Sequence, residues 1–382
     1  MAPDGFSPQK KGRVLSGMRP TGRLHIGHYF GALANWVKLQ EDYDCFYFVA
    51  DWHALTTDYA DASQVARNTL EIATDWLASG LDPQKSTLFV QSRVPEHAEL
   101  HLLLSMVTPL GWLERVPTYK EQLEQITGKD LHTYGFLGYP LLQTADIVLY
   151  GAEGMPLYVP VGEDQVPHVE MSREVVRRFN ASFAPCDESM RGMPLDERMS
   201  RLANLKIEVP QILKEPVHLL TETPRLPGTD GRKMSKSYGN FVSLSEDDAS
   251  VREKVRNMLT DPARKRRSDP GNPDVCPVFS WHRLFSPAET VERVDRECRV
   301  AGIGCVDCKK EMAENLVKWI APVRARRQEY EAHPKRVMEI LDEGSGRAQK
   351  VARATMERVR EAVFGSEALR KEVAARQSGA AE

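Results

Sequence analysis

The residues that most restrict the fold are Cys45-Phe46-Tyr47-Phe48-Val49-Ala50 and Thr87-Leu88-Phe89-Val90. Each is a short, unbroken apolar run without polar alternation. Such runs suit strands covered on both faces, the condition of a parallel sheet flanked by helices. The segments around them agree. Val14-Leu15-Ser16-Gly17 reads as a strand ending in a glycine turn, and Met155 to Gly162 as a further strand. Gly27 to Gln40 reads as a helix with Tyr29, Leu33, Trp36, Val37 and Gln40 toward one side. Gln64 to Ser79, Tyr139 to Tyr150 and Asp164 to Asn180 are also helical in pattern. Strand alternating with helix predicts an α/β fold with a Rossmann-like, doubly wound parallel sheet.

Two stretches interrupt this body, taken as residues 13–245: a helical insertion at about 95–137 and an irregular one, rich in Pro and Met, at about 181–225. From residue 246 the pattern is helical. Gly346 to Phe364 places Ala348, Val351, Ala354, Val359 and Val363 at helical spacing, so residues 246–370 are expected to form an α-helical domain. Residues 1–12 and 371–382 are expected to be disordered tails. No apolar stretch approaches the roughly 20 residues that span a bilayer, and Met1 to Lys11 has no apolar signal core. The expectation is a cytoplasmic protein without a membrane partner.

Net charge is −3, unevenly spread. Residues 251–382 hold 27 Lys and Arg against 21 Asp and Glu, whereas residues 1–250 hold 24 against 33. A basic end on an acidic body suits contact with a polyanion.

Two motifs carry chemistry. Thr21-Gly22-Arg23-Leu24-His25-Ile26-Gly27-His28 follows the first strand and opens a helix. A helix start offers free N–H groups and partial positive charge to phosphate. Gly27 lets a nucleotide approach the backbone, and His25 and His28 can donate to phosphate oxygens. Lys233-Met234-Ser235-Lys236-Ser237 follows Pro227-Gly228-Thr229-Asp230-Gly231 and is expected on a mobile loop. Its lysines and hydroxyls can meet a triphosphate and stabilise charge on leaving pyrophosphate.

Both motifs, in this order on an α/β chain, match letter for letter the HIGH and KMSKS signatures, and the chain resembles the class I aminoacyl-tRNA synthetases. Tyr139-Pro140-Leu141-Leu142-Gln143-Thr144-Ala145-Asp146-Ile147-Val148-Leu149-Tyr150 and Val159-Pro160-Val161-Gly162-Glu163-Asp164-Gln165 resemble blocks of the tryptophanyl branch. The resemblance implies ATP-dependent ligation of L-tryptophan to tRNA(Trp) through an adenylate, with Mg²⁺ on the ATP, in a homodimer. It implies catalytic roles for His25, His28, Lys233, Lys236 and Ser237. It implies ATP contacts from Arg19, Pro20, Thr21, Gly27 and His28, from Gly162, Glu163, Asp164 and Gln165, and from Lys233, Met234, Ser235, Lys236 and Ser237. It assigns Asp146 as acceptor of the indole N–H, with Tyr139, Gln143 and His53 as further pocket residues. The chain departs from many members at Arg19 and Thr118, where they carry Gln.

Four cysteines remain, spaced Cys276-x21-Cys298-x6-Cys305-x2-Cys308. Four thiolates can hold Zn²⁺ or an iron–sulfur cube, and the Cys-x-x-Cys half-site by itself favours zinc. The resemblance implies that the α-helical domain 246–370 binds the anticodon, and it extends to a subset of tryptophanyl enzymes with a 4Fe–4S cluster near that region, which implies that cluster, with Zn²⁺ as the alternative. Arg264-Lys265-Arg266-Arg267 lies close by and is a candidate RNA contact. Lys309, Lys310, Arg324, Arg326 and Arg327 add positive charge nearby in sequence.

Overall fold

The apolar runs form strands in a computed structural model that describes residues 10–126, 128–184, 188–190, 192–207, 209–221, 226–365 and 369–370. Of the tails expected at residues 1–12 and 371–382, residues 1–9 and 371–382 lie outside the described residues, as does Cys186, whereas Lys11 and Gly12 are tied to Asp42 and Asp44 by backbone hydrogen bonds of 3.0 Å. Five strands, β1 (Arg13–Met18), β2 (Asp44–Val49), β3 (Ser86–Val90), β4 (Leu157–Val161) and β5 (Val217–Leu220), make one sheet. Its order is β3-β2-β1-β4-β5, and all pairings are parallel. The chain steps outward from β1 to β3, then returns to the other side of β1. Strand direction therefore reverses its walk between β1 and β4, where open α/β sheets bind ligands.

Alternate strand residues feed two cores. Val14, Cys45, Tyr47, Val49, Leu88 and Val90 face one; Leu15, Phe46, Phe48, Phe89, Leu157 and Val159 face the other. This two-sided burial is why the strands read as unbroken apolar runs.

Two sequence expectations change. The stretch expected to be an irregular insertion contains the helix Leu195–Asn204 and the fifth strand. Four residues at a half-exposed sheet edge carry too little apolar pattern to be recognised. Second, the helical region shares its core with the sheet: Val251, Trp281, Leu316 and Leu341 belong to the same cluster as Val14 and Tyr47. Its last helix, Pro334–Phe364, is longer than expected and passes from one core to the other around the edge of β3. Val337 and Leu341 join the first core; Ala348, Ala352, Met356 and Val359 join the second. The crossing is made by Gly344, where a Cβ would run into the Leu88 carbonyl, and by Ser345, whose Oγ accepts from the Val90 amide at 3.3 Å. An edge strand is thus covered and one of its unpaired N–H groups satisfied.

Among the described residues no helix is long and apolar enough to cross a membrane.

Candidate active site

β1 ends beside the first motif. The helical run opens at Ile26–His28, passes through a π-helical turn at Tyr29–Leu33 and continues as Ala34–Asp42. His25 and His28 cap this start reciprocally. The His25 Nδ1 accepts from the His28 amide at 3.3 Å, and the His28 Nδ1 accepts from the His25 amide at 3.2 Å. With each Nδ1 used as an acceptor, the ring proton resides on Nε2. Burial, reinforced by Lys236, lowers His25 to about 4. Burial, reinforced by His25 and Lys236, lowers His28 to about 3. Both imidazoles are therefore neutral Nε2–H donors.

This modifies the sequence reading of the helix start. The Ile26 amide already donates to the Val242 carbonyl at 3.0 Å, and the His28 amide is capped, so these two amides are not open donors at the helix start. Gly27 also has a different reason. A Cβ there would lie 2.9 Å from the His25 Nδ1 and 3.2 Å from the Met234 Sδ, so the glycine lets the two motifs close on each other.

The second motif is stapled by the side chain of buried Asn240. Its Oδ1 accepts from the Ser235 amide at 2.8 Å, and its Nδ2 donates to the Lys233 carbonyl at 3.1 Å and to Asp230 at 2.7 Å. The segment expected to be a mobile loop is thus held by hydrogen bonds at its base. Lys236 donates to the Thr21 carbonyl at 2.7 Å, joining the motifs directly. Burial lowers its pKa, and Asp75 opposes that shift. Lys233 and Ser237 stand exposed.

These groups border a cleft of about 1720 Å³, lined by Thr21, His25, Gly27 and His28, by Gly162, Glu163 and Asp164, and by Lys233 to Ser237. Asp274, Pro277 and Ser280 of the helical region line it too. The cleft exceeds the usual ~300–1,000 Å³ for one small ligand. Arg19, Pro20 and Gln165 are not in this lining. Arg19 instead donates to the Ala54 carbonyl at 3.3 Å, to Thr57, and to Asp58 at 3.1 Å, at the end of the helix Asp51–Asp58.

Asp146 lies fully buried in the helix Tyr139–Val148. Its Oδ1 accepts from the Gln91 Nε2 at 2.7 Å and the His97 Nδ1 at 2.6 Å, and its Oδ2 from the His53 Nε2 at 2.8 Å. The His97 Nε2 in turn meets the Tyr150 hydroxyl at 2.8 Å. Burial pushes the Asp146 carboxyl up, but the hydrogen bonds from His53 and His97 outweigh it and hold it below the usual carboxylate range. A carboxylate has about four acceptor positions. Three are filled, and the open one is on Oδ2, beside His53, the least buried of the donors. The Tyr139 hydroxyl meets Thr118 at 2.6 Å, and Thr118 meets the His168 Nε2 at 2.8 Å. Gln143 is half-buried on the same helix. Gln91, His97 and Tyr150 were not singled out from sequence. Gln91 and His97 follow a buried strand as His53 does, and that position was the available signal.

The cysteines come from three helices. Cys276 caps Pro277–Phe285, Cys298 ends Ala288–Arg299, and Cys305 and Cys308 sit in the first turn of Cys305–Ala332. Burial, reinforced by the other three thiols, pushes Cys308 up to about 12. Cys276, Cys298 and Cys308 pack into one core cluster. Among the described residues, however, no three His, Cys, Asp or Glu side chains are arranged to hold a metal ion.

The basic run divides. Arg264 donates to the Ile303 carbonyl at 2.8 Å and lies 3.8 Å from the Cys298 sulfur, while Arg267 donates to the Ala301 carbonyl and, at 2.9 Å, to that of Gly302. These two arginines tie down the cysteine loop. Lys265 and Arg266 stay exposed. Of the further basic residues, Arg327 is buried on Asp75 and half-buried Arg324 donates to the Glu246 carbonyl, whereas exposed Arg326 donates to the Ala78 carbonyl.

Comparison with known proteins follows this geometry. The family model described as tRNA synthetases class I (W and Y) matches residues 7–321. The chain is 50% identical to the tryptophan–tRNA ligase of Ralstonia nicotianae, covering 92% of this chain and 98% of the relative. It is 49% identical to that of Thermotoga maritima, with the same coverage. Among solved structures it is similar to the tryptophanyl-tRNA synthetase of Campylobacter jejuni complexed with ADP and tryptophan. The TM-score is 0.75 and the identity 31%, covering 92% of this chain and 99% of that one.

Proposed function

The chain belongs to the class I tRNA synthetases of the W and Y type, and we propose on that premise that it charges tRNA with tryptophan. ATP occupies the cleft between the two motifs, its Mg²⁺ arriving as the counterion of the triphosphate. Tryptophan places its indole at Asp146. The carboxylate of tryptophan attacks the α-phosphorus, forming tryptophanyl-adenylate and releasing pyrophosphate. The 3′-terminal hydroxyl of the tRNA then takes the aminoacyl group and AMP leaves. No protein nucleophile is required, so the residues position and stabilise charge. The His25 and His28 Nε2–H groups donate to phosphate oxygens. Lys233, Lys236 and Ser237 meet the charge that grows on pyrophosphate.

One observation carries tryptophan over tyrosine: Asp146 is a buried carboxylate with one open acceptor position, the other three being filled by His53, Gln91 and His97. An indole N–H only donates and fits that vacancy. A phenol O–H would also donate there, but it would bring oxygen lone pairs to an acceptor-only carboxylate, and unpaired polar groups penalise the wrong substrate. Pyrophosphate exchange tests this. Tryptophan should support exchange and tyrosine should not; equal exchange with tyrosine overturns the reading.

For the tRNA, exposed Lys265 and Arg266 support a phosphate contact on the helical region. We read the four cysteines as ligands of a 4Fe–4S cluster, with Zn²⁺ as the alternative. Four thiols from adjoining helices supply the right donors, although they do not stand as a closed ligand set. Metal analysis and the visible absorption spectrum of anaerobically purified protein decide it, and metal-free protein with colourless thiols overturns it. A cytoplasmic homodimer completes the reading. Exposed Leu102, Met106 and Leu110 offer an apolar face for a second copy, and a monomer by light scattering overturns that part.

A further inference from the structure

The backbone of the first motif is gripped from beneath by a buried ion pair, Asp75 with Arg327, that the proposed reaction does not use. Asp75, fully buried on the helix Val65–Ser79, accepts from the Leu24 amide at 2.6 Å through Oδ2. Its Oδ1 takes the guanidinium of Arg327, which is 1% exposed and comes from the helix Cys305–Ala332 of the helical region. Arg327 also binds Glu71, and Glu331 at 3.0 Å. Arg23, inside the motif, binds the same two carboxylates at 3.0 and 3.1 Å. Asp75, Glu71 and Glu331 thus face Arg23 and Arg327. The third cation is Lys236, which senses Asp75 while it holds the Thr21 carbonyl.

One helical turn earlier, Arg324 of the same helix donates to the Glu246 carbonyl at 2.7 Å and pairs with Asp248 at 2.5 Å. Residues just before Glu246 run beside the first motif: the Ile26 amide donates to Val242 and the Leu244 amide to Leu24, both at 3.0 Å. One helix therefore holds the loop of His25 and His28 from two sides. It acts through Asp75 on one side and through the 242–248 segment on the other. A surface salt bridge would add little. A buried guanidinium whose carboxylate partner accepts a motif amide has geometric consequences, because a shift of either residue moves the amide.

We propose that Asp75 and Arg327 are positioning residues for adenylate formation. Arg327 acts through Asp75 on the Leu24 amide, so the seating of the helix Cys305–Ala332 sets the geometry of the loop that holds ATP. This rests on the ATP role of His25 and His28. Nothing in the pair touches the tryptophan pocket, so its effect is confined to the nucleotide.

The test is Arg327→Gln in the full-length protein, with a thermal melt to establish folding. The readouts are ATP–pyrophosphate exchange and the equilibrium Kd for tryptophan. The expected result is a fall of tenfold or more in kcat/KM for ATP, with the tryptophan Kd changed less than twofold. A parallel loss for both ligands, or unchanged ATP kinetics, overturns the proposal. Should Arg327→Gln not fold, Glu331→Gln removes the partly exposed carboxylate shared by Arg23 and Arg327. A two- to fivefold rise in KM for ATP alone then supports the proposal, and unchanged ATP kinetics overturns it. Tryptophan-dependent exchange by the unaltered protein checks the functional reading separately, so the two failures are distinguishable.

Discussion

Replacing Asp146 by Asn changes one oxygen to an NH₂ in a site where four acceptor positions meet three protein donors. If the NH₂ takes the place of Oδ1, it faces two donors, Gln91 and His97. If it takes the place of Oδ2, it faces only His53, whose ring can shift its proton and accept. The amide therefore settles with its nitrogen toward His53, which is also the position left for the indole N–H. Tryptophan loses a hydrogen bond to a charged acceptor, about 1.5–3 kcal/mol. At about 1.4 kcal/mol per factor of ten, that is roughly a 10- to 150-fold loss in kcat/KM for tryptophan. The assay is pyrophosphate exchange with tryptophan and with its analogue carrying sulfur in place of the indole N–H. The unaltered protein should discriminate strongly between them, and Asp146→Asn should nearly equalise them while KM for ATP holds. If the variant loses the same factor for both compounds, the indole N–H does not bind Asp146 and the pocket assignment fails.

Other outcomes follow from the same geometry. Lys236→Ala should lower kcat for exchange by about 10- to 100-fold through lost transition-state charge stabilisation, with the tryptophan Kd nearly unchanged; a change in tryptophan affinity alone would sink the role. His25 and His28 have folded values of about 4 and about 3, below the ordinary 6.5. The unfolded chain therefore takes up protons first, and the stability they contribute is complete above pH 6.5 and declines as pH falls toward 4. Relative to His25→Asn/His28→Asn, the native protein should lose stability across that range at under about 1.4 kcal/mol per imidazole per pH unit, since solvent screens part of the effect. Urea midpoints at pH 7.5, 6 and 5 measure it, and parallel curves would refute the neutral-imidazole assignment. Gly344→Val should cost about 3 kcal/mol or more, because the new Cβ meets the β3 backbone rather than a yielding side chain; a melting temperature within a degree of the original would contradict the edge packing.

What the amino-acid order determined by itself is local. Cys45 to Ala50 and Thr87 to Val90 declare a sheet buried on both faces, because each side chain records only whether its own surroundings are apolar. The two ATP motifs are legible for a similar reason, since their chemistry is carried by contiguous residues. Tertiary structure decided whatever depends on partners far apart in the chain. Val217–Leu220 is a strand because β4 offers it an edge, not because four half-exposed residues say so. His97 reaches Asp146 across 49 positions and Arg327 reaches Asp75 across 252, and no window along the chain contains either pair. The basic residues show the difference most plainly. Arg266 and Arg327 look alike in sequence, yet one stands in water and the other is buried on a carboxylate. A guanidinium alone does not specify which. The fold does, because a buried charge persists only where an opposite charge has been brought to meet it.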